Sequence, residues 1–230
     1  MLTHLLTRLQ HRRAALVSSF NTGFLMTRFL VAGSGTDVGK TVACAILTQL
    51  LEGEYWKPVQ CGDPSHSDTA QIQKLINFPV HPPAYSLRAP LSPHHAARLE
   101  GIPIRPEQII PPITSKTLII ESVGGVLVPL TSDYLSIDLF KSWNCQWILV
   151  SKHYVGSINH TLLTLDLLKK YGIPLAGLIF NGLPNPDTES VILNQIKAPF
   201  LARLLPEPII NSQTIQRYTT IWKPLLAQLS

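Results

Sequence analysis

Gly33-Ser34-Gly35-Thr36-Asp37-Val38-Gly39-Lys40-Thr41 follows the apolar run Arg28-Phe29-Leu30-Val31-Ala32 and leads into Val42-Ala43-Cys44-Ala45-Ile46-Leu47. A short apolar strand, a glycine-rich turn and Gly-Lys-Thr opening an apolar helix form the layout of a phosphate-binding loop. Glycines let the backbone wrap closely around a phosphate, and the unpaired amides of a helix N-terminus point at it. In that layout Lys40 brings a mobile positive charge to the β- and γ-phosphates, and the Thr41 hydroxyl ligates Mg2+. One position is irregular. The strict spacing asks for glycine five residues before Gly39, where Ser34 stands, and the glycine sits one place earlier at Gly33.

Outside the loop, composition narrows the class. With 230 residues, 45% of them hydrophobic and only 14% charged, the chain is long enough for one well-buried α/β domain and suits a parallel sheet covered on both faces. Net charge is +5, but basic residues cluster only within the first thirteen positions, so no nucleic-acid-binding stripe is expected. Cys44, Cys61 and Cys145 are odd in number and far apart, which suggests neither a disulfide framework nor a zinc site and points to a reducing, cytoplasmic setting. No apolar run reaches the length of a membrane-spanning helix, so no membrane partner is expected. Residues 1–25 contain Arg8, Arg12 and Arg13 and no acidic residue. Such a segment fits a transit peptide, or an extension ahead of a start at Met26; we read it as the latter, with one domain over 26–230.

Along the chain, the first helix is expected to reach Leu51 and stop at Glu52-Gly53. Tyr55-Trp56-Lys57-Pro58-Val59 reads as a strand. Lysine is seldom buried without a partner, so Lys57 either points from the strand end into the crevice of the phosphate loop or is a solvated loop residue. Asp68, ahead of the helical run from Thr69 to Ile76, either caps that helix or is an oxygen ligand for magnesium. The proline-rich stretch Phe78 to Pro93 cannot stay regular for long, and Ser92-Pro93 reads as the cap and first residue of the next helix. Thr117-Leu118-Ile119-Ile120-Glu121 is an apolar strand ending in a carboxylate, with Gly124-Gly125 close behind. That is where a second magnesium-side carboxylate sits in phosphate-loop proteins. A helix over Tyr134 to Trp143, a strand over Gln146 to Val150 and a helix from Thr161 to Tyr171, opened by Gly156-Ser157-Ile158-Asn159-His160, come next. A strand Leu175 to Phe180 ends at Asn181-Gly182, where the asparagine either offers donor and acceptor to a base edge or merely makes the turn. A helix from Asp187 to Lys197, a strand near Phe200 to Leu204 and a last helix from Ser212 to Leu229 complete the pattern. This alternation implies an α/β fold of the P-loop NTPase kind, a mostly parallel sheet flanked by helices.

Taken in order, Gly33 to Thr41, Trp56-Lys57-Pro58-Val59-Gln60, Glu121 with Gly124-Gly125, Gly156-Ser157-Ile158-Asn159-His160-Thr161 and Asn181 resemble the dethiobiotin synthetase family of biotin biosynthesis. The resemblance covers nearly everything from Met26 onward, and that family also carries its loop glycine one residue early, as Gly33 does. It implies an ATP-dependent ring closure. Carbon dioxide joins 7,8-diaminopelargonate as a carbamate, the carbamate is phosphorylated, and a cyclic urea closes with loss of phosphate.

By the same resemblance Lys57 holds the carbamate and Lys40 stabilises the transferring phosphoryl group. Asp37, Val38, Gly39, Thr41, Val42 and Gly124 belong to the nucleotide side, and Thr41, Asp68 and Glu121 hold Mg2+. Asn181, Gly182, Leu205, Pro206 and Glu207 face the adenine. Thr36, Cys61, Gly156 and Asn159 belong to the substrate side, the last two at a homodimer interface. This chain departs from the family pattern at Cys61, where Ser or Thr is usual, at Ser122-Val123, where Gly-Ala is usual, and at Tyr154, where a basic or small residue is expected. The competing reading is a nucleotide-switched ATPase of the partition kind, which shares the fold. Its members place a signature lysine where this chain has Gly35.

Overall fold

The computed structural model describes residues 27–196 and 199–226; the extension over 1–25 lies outside the described residues, as does the tail of the last expected helix. In chain order the elements are β1 (Arg28–Gly33), α1 (Lys40–Leu50), β2 (Glu54–Trp56), β3 (Val59–Cys61), α2 (Asp68–Leu75), β4 (Val80–His81), β5 (Tyr85–Leu87) and α3 (Pro93–Glu100). They continue with β6 (Leu118–Glu121), α4 (Ser136–Phe140), β7 (Gln146–Lys152), α5 (Ser157–Lys170), β8 (Leu175–Asn181), α6 (Pro186–Ile196), β9 (Phe200–Leu204) and α7 (Ser212–Leu226). Seven strands form one sheet in the order β4-β2-β6-β1-β7-β8-β9, every neighbouring pair parallel.

The alternation along β1 builds the layers. Leu30 and Ala32 face one core with the buried residues of α3, α4, α5 and α6, while Phe29 and Val31 face the other with those of α1, α2 and α7. Strands buried on both faces read as continuous apolar runs, which is why β1, β6, β7 and β8 were visible in the sequence. With β6 on one side of β1 and β7 on the other, the chain leaves β1 in both directions. Ligands of open α/β sheets bind at such a switch point, outside the carboxyl ends of the strands. Among the described residues no helix is long and apolar enough to cross a membrane.

Several local expectations are corrected. The strand expected over Tyr55 to Val59 is broken at Lys57-Pro58: β2 stops at Trp56, and β3 leaves the main sheet to pair with β5 in a separate two-stranded sheet. Proline has no amide proton for the ladder, and its ring restricts the residue before it. Helix α4 spans only Ser136–Phe140 instead of 134–143, because Leu135 is held extended by an antiparallel bridge to Pro129. The stop after α1 uses Glu52, with φ 49°, as its left-handed residue. Gly53 is needed for another reason: a Cβ there would lie 2.5 Å from the Thr117 carbonyl oxygen. Ser92 and Pro93 are the cap and first residue of α3 as expected, but the Ser92 side chain does not bond the helix end; its hydroxyl pairs with His94 Nδ1 at 3.1 Å. Helix α5 starts at Ser157, four residues ahead of the expected Thr161.

Helix α7 is fastened to the sheet by Trp222, which is fully buried and donates from Nε1 to the Arg203 carbonyl at 3.2 Å. Trp222→Ala is expected to destabilise the fold by about 3–5 kcal/mol through the cavity it leaves, read as a lowered midpoint in urea unfolding.

Candidate active site

Geometry at the end of β1 enforces the loop. A Cβ on Gly33 would come within 2.6 Å of the Gly35 carbonyl oxygen and 2.8 Å of a Val38 methyl, so the early glycine is a steric requirement of this turn. Gly39 has φ 96°, and a Cβ there would meet the Asn181 amide nitrogen at 2.6 Å. Asp37 also adopts a left-handed conformation, with φ 56°, a conformation uncommon outside glycine. Asn181, at the end of β8, donates from Nδ2 to the Val38 carbonyl at 2.9 Å and so pins the loop from the β8 side. Lys40 lies over the turn, donating to the Gly35 carbonyl at 3.0 Å. Burial lowers its pKa below the ordinary lysine value; Lys57 adds to that, and the Glu121 and Asp68 carboxylates oppose it.

Three elements deliver charged groups to the same place. The Thr41 hydroxyl lies 2.6 Å from Asp68 Oδ1 and 3.0 Å from Glu121 Oε1. The Lys57 ammonium contacts Asp68 Oδ2 and lies 3.0 Å from Glu121 Oε1, with Lys57 only 6% and Glu121 1% exposed. Lys57 therefore does not sit in solvent. Burial disfavours its charge, but Glu121 and Asp68 outweigh that and hold its pKa above the ordinary value. Burial likewise disfavours the Asp68 carboxylate, yet Lys57, Thr41 and Gln60 hold its pKa below the ordinary value.

Asp68 is freed for this task because it is not the cap. Ser67 caps α2, its Oγ accepting from the Ala70 amide at 3.2 Å, and Asp68 is the first helical residue, its own amide held at 3.2 Å by Gln60 Oε1. Tyr55, which the sequence did not single out, donates to Glu121 Oε2 at 2.9 Å. Burial, then the neighbouring Glu121 charge, drives its pKa well up, so the hydroxyl remains a donor.

Mg2+ takes oxygen ligands and is usually bound by one or two carboxylates with substrate phosphates and water. The hydroxyl of Thr41 and the carboxylates of Asp68 and Glu121 converge as such an oxygen set beside the loop, and they fit it. Among the described residues no cluster of three or more His, Cys, Asp or Glu side chains forms a self-sufficient metal cage.

Two cavities flank the loop. One of about 610 Å3 is lined by Gly39, Val42, Asn181, Gly182, Leu205, Pro206 and Glu207, together with Lys152, His153 and Tyr218. All of the residues expected on the adenine side meet there. The Glu207 carboxylate is taken up by Tyr218 (2.7 Å) and Arg217 (2.7 Å), while the Tyr218 hydroxyl accepts from the Leu205 amide at 2.9 Å. Glu207 thus holds the segment in place. Behind this cavity His153 stacks on Phe180 and pairs with Glu189 at 2.9 Å. Burial works against the Glu189 charge, but Arg203, the Asn185 amide and His153 bring its pKa down to about 2.

The second cavity, about 410 Å3, is lined by Ser34 to Val38 with Lys152, Tyr154 and His160. Thr36 and Asp37 are in it; Gly156 and Asn159 lie exposed on the turn that opens α5 and are not. Tyr154 reaches His160 Nδ1 at 2.6 Å. Gly124, with φ 55°, stands against Thr36: a Cβ there would be 3.5 Å from its hydroxyl and 2.8 Å from Val128. Cys61 is half-buried at the end of β3. Burial pushes its thiol up to about 11, with Lys57 opposing, so it is a neutral, weak donor.

A family model described as an AAA domain matches residues 27–214. An ATP-dependent dethiobiotin synthetase BioD of Chlamydia abortus is 44% identical over 194 residues, 84% of this chain and 93% of that relative. One from Christiangramia forsetii is 38% identical, covering 87% of this chain and 98% of that relative. The chain belongs to the dethiobiotin synthetase family. Among solved structures, the septum site-determining protein MinD of Pyrococcus horikoshii OT3, complexed with Mg-ADP, superposes with a TM-score of 0.57 at 18% identity, covering 89% of this chain and 93% of that one. That likeness establishes the P-loop fold and nothing about a switch function. Tyr55, Lys152, His153 and Tyr218 stand in none of the motifs read from the sequence; only their positions beside Glu121 and the larger cavity mark them.

The pKa directions give a pH dependence. Asp68 is depressed, so its contribution to stability is present above the ordinary carboxylate value of 3.8 and is lost as pH falls through its folded value. Lys57 is raised, so its contribution is present below 10.5 and is lost as pH rises through its folded value. Asp68→Asn is expected to flatten the acid limb of stability against pH, measured as urea midpoints at successive pH values.

Proposed function

We propose that this chain carries out the ATP-dependent synthesis of dethiobiotin from 7,8-diaminopelargonate and carbon dioxide. The observation that carries the reading is Lys57, a buried ammonium held against the two carboxylates that converge on Thr41, beside the loop that carries Lys40. Identity to dethiobiotin synthetases along most of the chain supports the activity. A partition-type switch leaves Lys57 unexplained and expects a lysine where Gly35 stands.

In this reading Lys57 binds the carbamate formed from carbon dioxide and one substrate amine, an anion that must stay in place until it is phosphorylated. A carbamate oxygen attacks the γ-phosphorus of ATP and ADP leaves, while Lys40 stabilises the charge on the transferring phosphoryl group. The second amine then attacks the carbamate carbon, phosphate departs, and the cyclic urea is closed. Mg2+ supplies charge neutralisation on the phosphate oxygens when bound; Thr41, Asp68 and Glu121 would hold it.

Asp37 to Val42 and Gly124 cradle the phosphates. Asn181, Gly182 and the Leu205-Pro206-Glu207 segment bind the adenine in the larger cavity. Thr36 and Cys61 contact the diamine. Gly156 and Asn159, exposed at the N-terminus of α5, receive its carboxylate where a helix end favours an anion, and they do so at the interface of a homodimer. The protein works in the cytoplasm.

Phosphate release from ATP is expected to require both the diamine and bicarbonate, and Lys57→Ala to lower it by roughly 100-fold or more. Release independent of the diamine would exclude this function. Ring closure by Lys57→Ala at the unaltered rate would remove the carbamate role. Cys61→Thr is expected to keep or tighten the Kd for the diamine, measured by calorimetry, because a hydroxyl donates better than a thiol.

A further inference from the structure

The Lys57 ammonium and the proposed metal ligands use the same oxygens. Glu121 Oε1 lies 3.0 Å from both Thr41 Oγ1 and Lys57 Nζ, while Asp68 places Oδ1 on Thr41 and Oδ2 on Lys57. Glu121 is buried and Asp68 partly so, and a carboxylate as deep as Glu121 needs a cation beside it, since uncompensated buried charge is expensive. Glu121 cannot turn away, because Tyr55 holds its other oxygen at 2.9 Å from within the core. Asp68 is anchored by Gln60 on its own amide. The mobile partner is Lys57, a point charge on a four-carbon stem.

We infer that Lys57 is the internal counter-ion of the metal site: a divalent cation arriving at Thr41, Asp68 and Glu121 displaces its ammonium, and that displacement turns Lys57 toward the substrate. A divalent ion on Glu121 Oε1 would stand within a few ångströms of the ammonium, and in a buried site their repulsion exceeds what water would allow. Cation binding and presentation of Lys57 are then one coupled event. Coupling is reciprocal, so a substrate anion that draws Lys57 away tightens the cation by the same factor. This inference rests on the metal assignment proposed above.

Mn2+ serves as the probe, its free concentration followed by electron paramagnetic resonance in the full chain without nucleotide or substrate. Lys57→Met is expected to bind Mn2+ roughly tenfold or more tightly than the unaltered chain, within the range usual for coupled sites, and Glu121→Gln to bind it more weakly. If Lys57→Met does not fold, Lys57→Gln makes the same comparison while keeping a hydrogen-bond donor for the carboxylates. Weaker binding in Glu121→Gln, with equal or weaker binding in the neutral Lys57 variants, overturns the inference and leaves the metal site standing. Mn2+ binding absent from both the unaltered chain and the Lys57 variants also overturns the inference, since the phosphates rather than the release of Lys57 then govern the metal, and binding indifferent to Glu121→Gln removes the metal assignment with it.

Discussion

The contact between the Lys57 ammonium and the carboxylates of Asp68 and Glu121 is the constraint around which this molecule is arranged. Such charges are tolerated inside a protein only when paired and hydrogen-bonded, and here the partners come from three separate places: the end of β2, the start of α2 and the end of β6. Bringing them together requires β2 and β6 to be neighbours in the sheet and α2 to begin over their carboxyl ends. Both conditions are met by the parallel order on that side of β1.

The polar residues around this cluster follow from the same demand. Tyr55 satisfies the remaining oxygen of Glu121, Gln60 holds the first amide of α2, and Ser67 takes over the capping task so that Asp68 can turn inward. The break at Lys57-Pro58 serves it too. A strand that continued straight would carry Lys57 along the ladder; ending β2 at Trp56 leaves Lys57 between two sheets, its stem buried and its ammonium on the carboxylates. Across the loop, the larger cavity is organised by a different network in which Tyr218 and Glu207 fix the Leu205 segment, and Arg203, Glu189 and His153 stiffen its wall.

Much of this was legible in the residues. β1, the loop and α1 were readable because a strand buried on both faces is continuously apolar and because glycine-rich phosphate loops have a fixed spacing. β6, β7 and β8 were readable for the first of these reasons. β4 and β5 were not, since strands of two and three residues in a proline-rich stretch leave no periodicity to count. The shortness of α4 was hidden as well, because a single bridge between Pro129 and Leu135 decides where the helix begins.

By itself the sequence determined the fold class and the phosphate loop with Lys40 and Thr41 in it, since these stand in a motif whose spacing has a local physical cause. It left Asp68 open between cap and ligand, and Lys57 open between crevice and solvent. Only the tertiary structure showed that Asp68 is not the cap and that Lys57 is buried against carboxylates. The choice depends on which groups from distant segments meet in space, on Ser67 supplying the cap, and on burial that makes an unpaired charge too costly to keep. The parts played by Tyr55 and Tyr218 belong wholly to that level, because a hydroxyl's partner is set by packing and leaves no mark on the residues beside it in the chain.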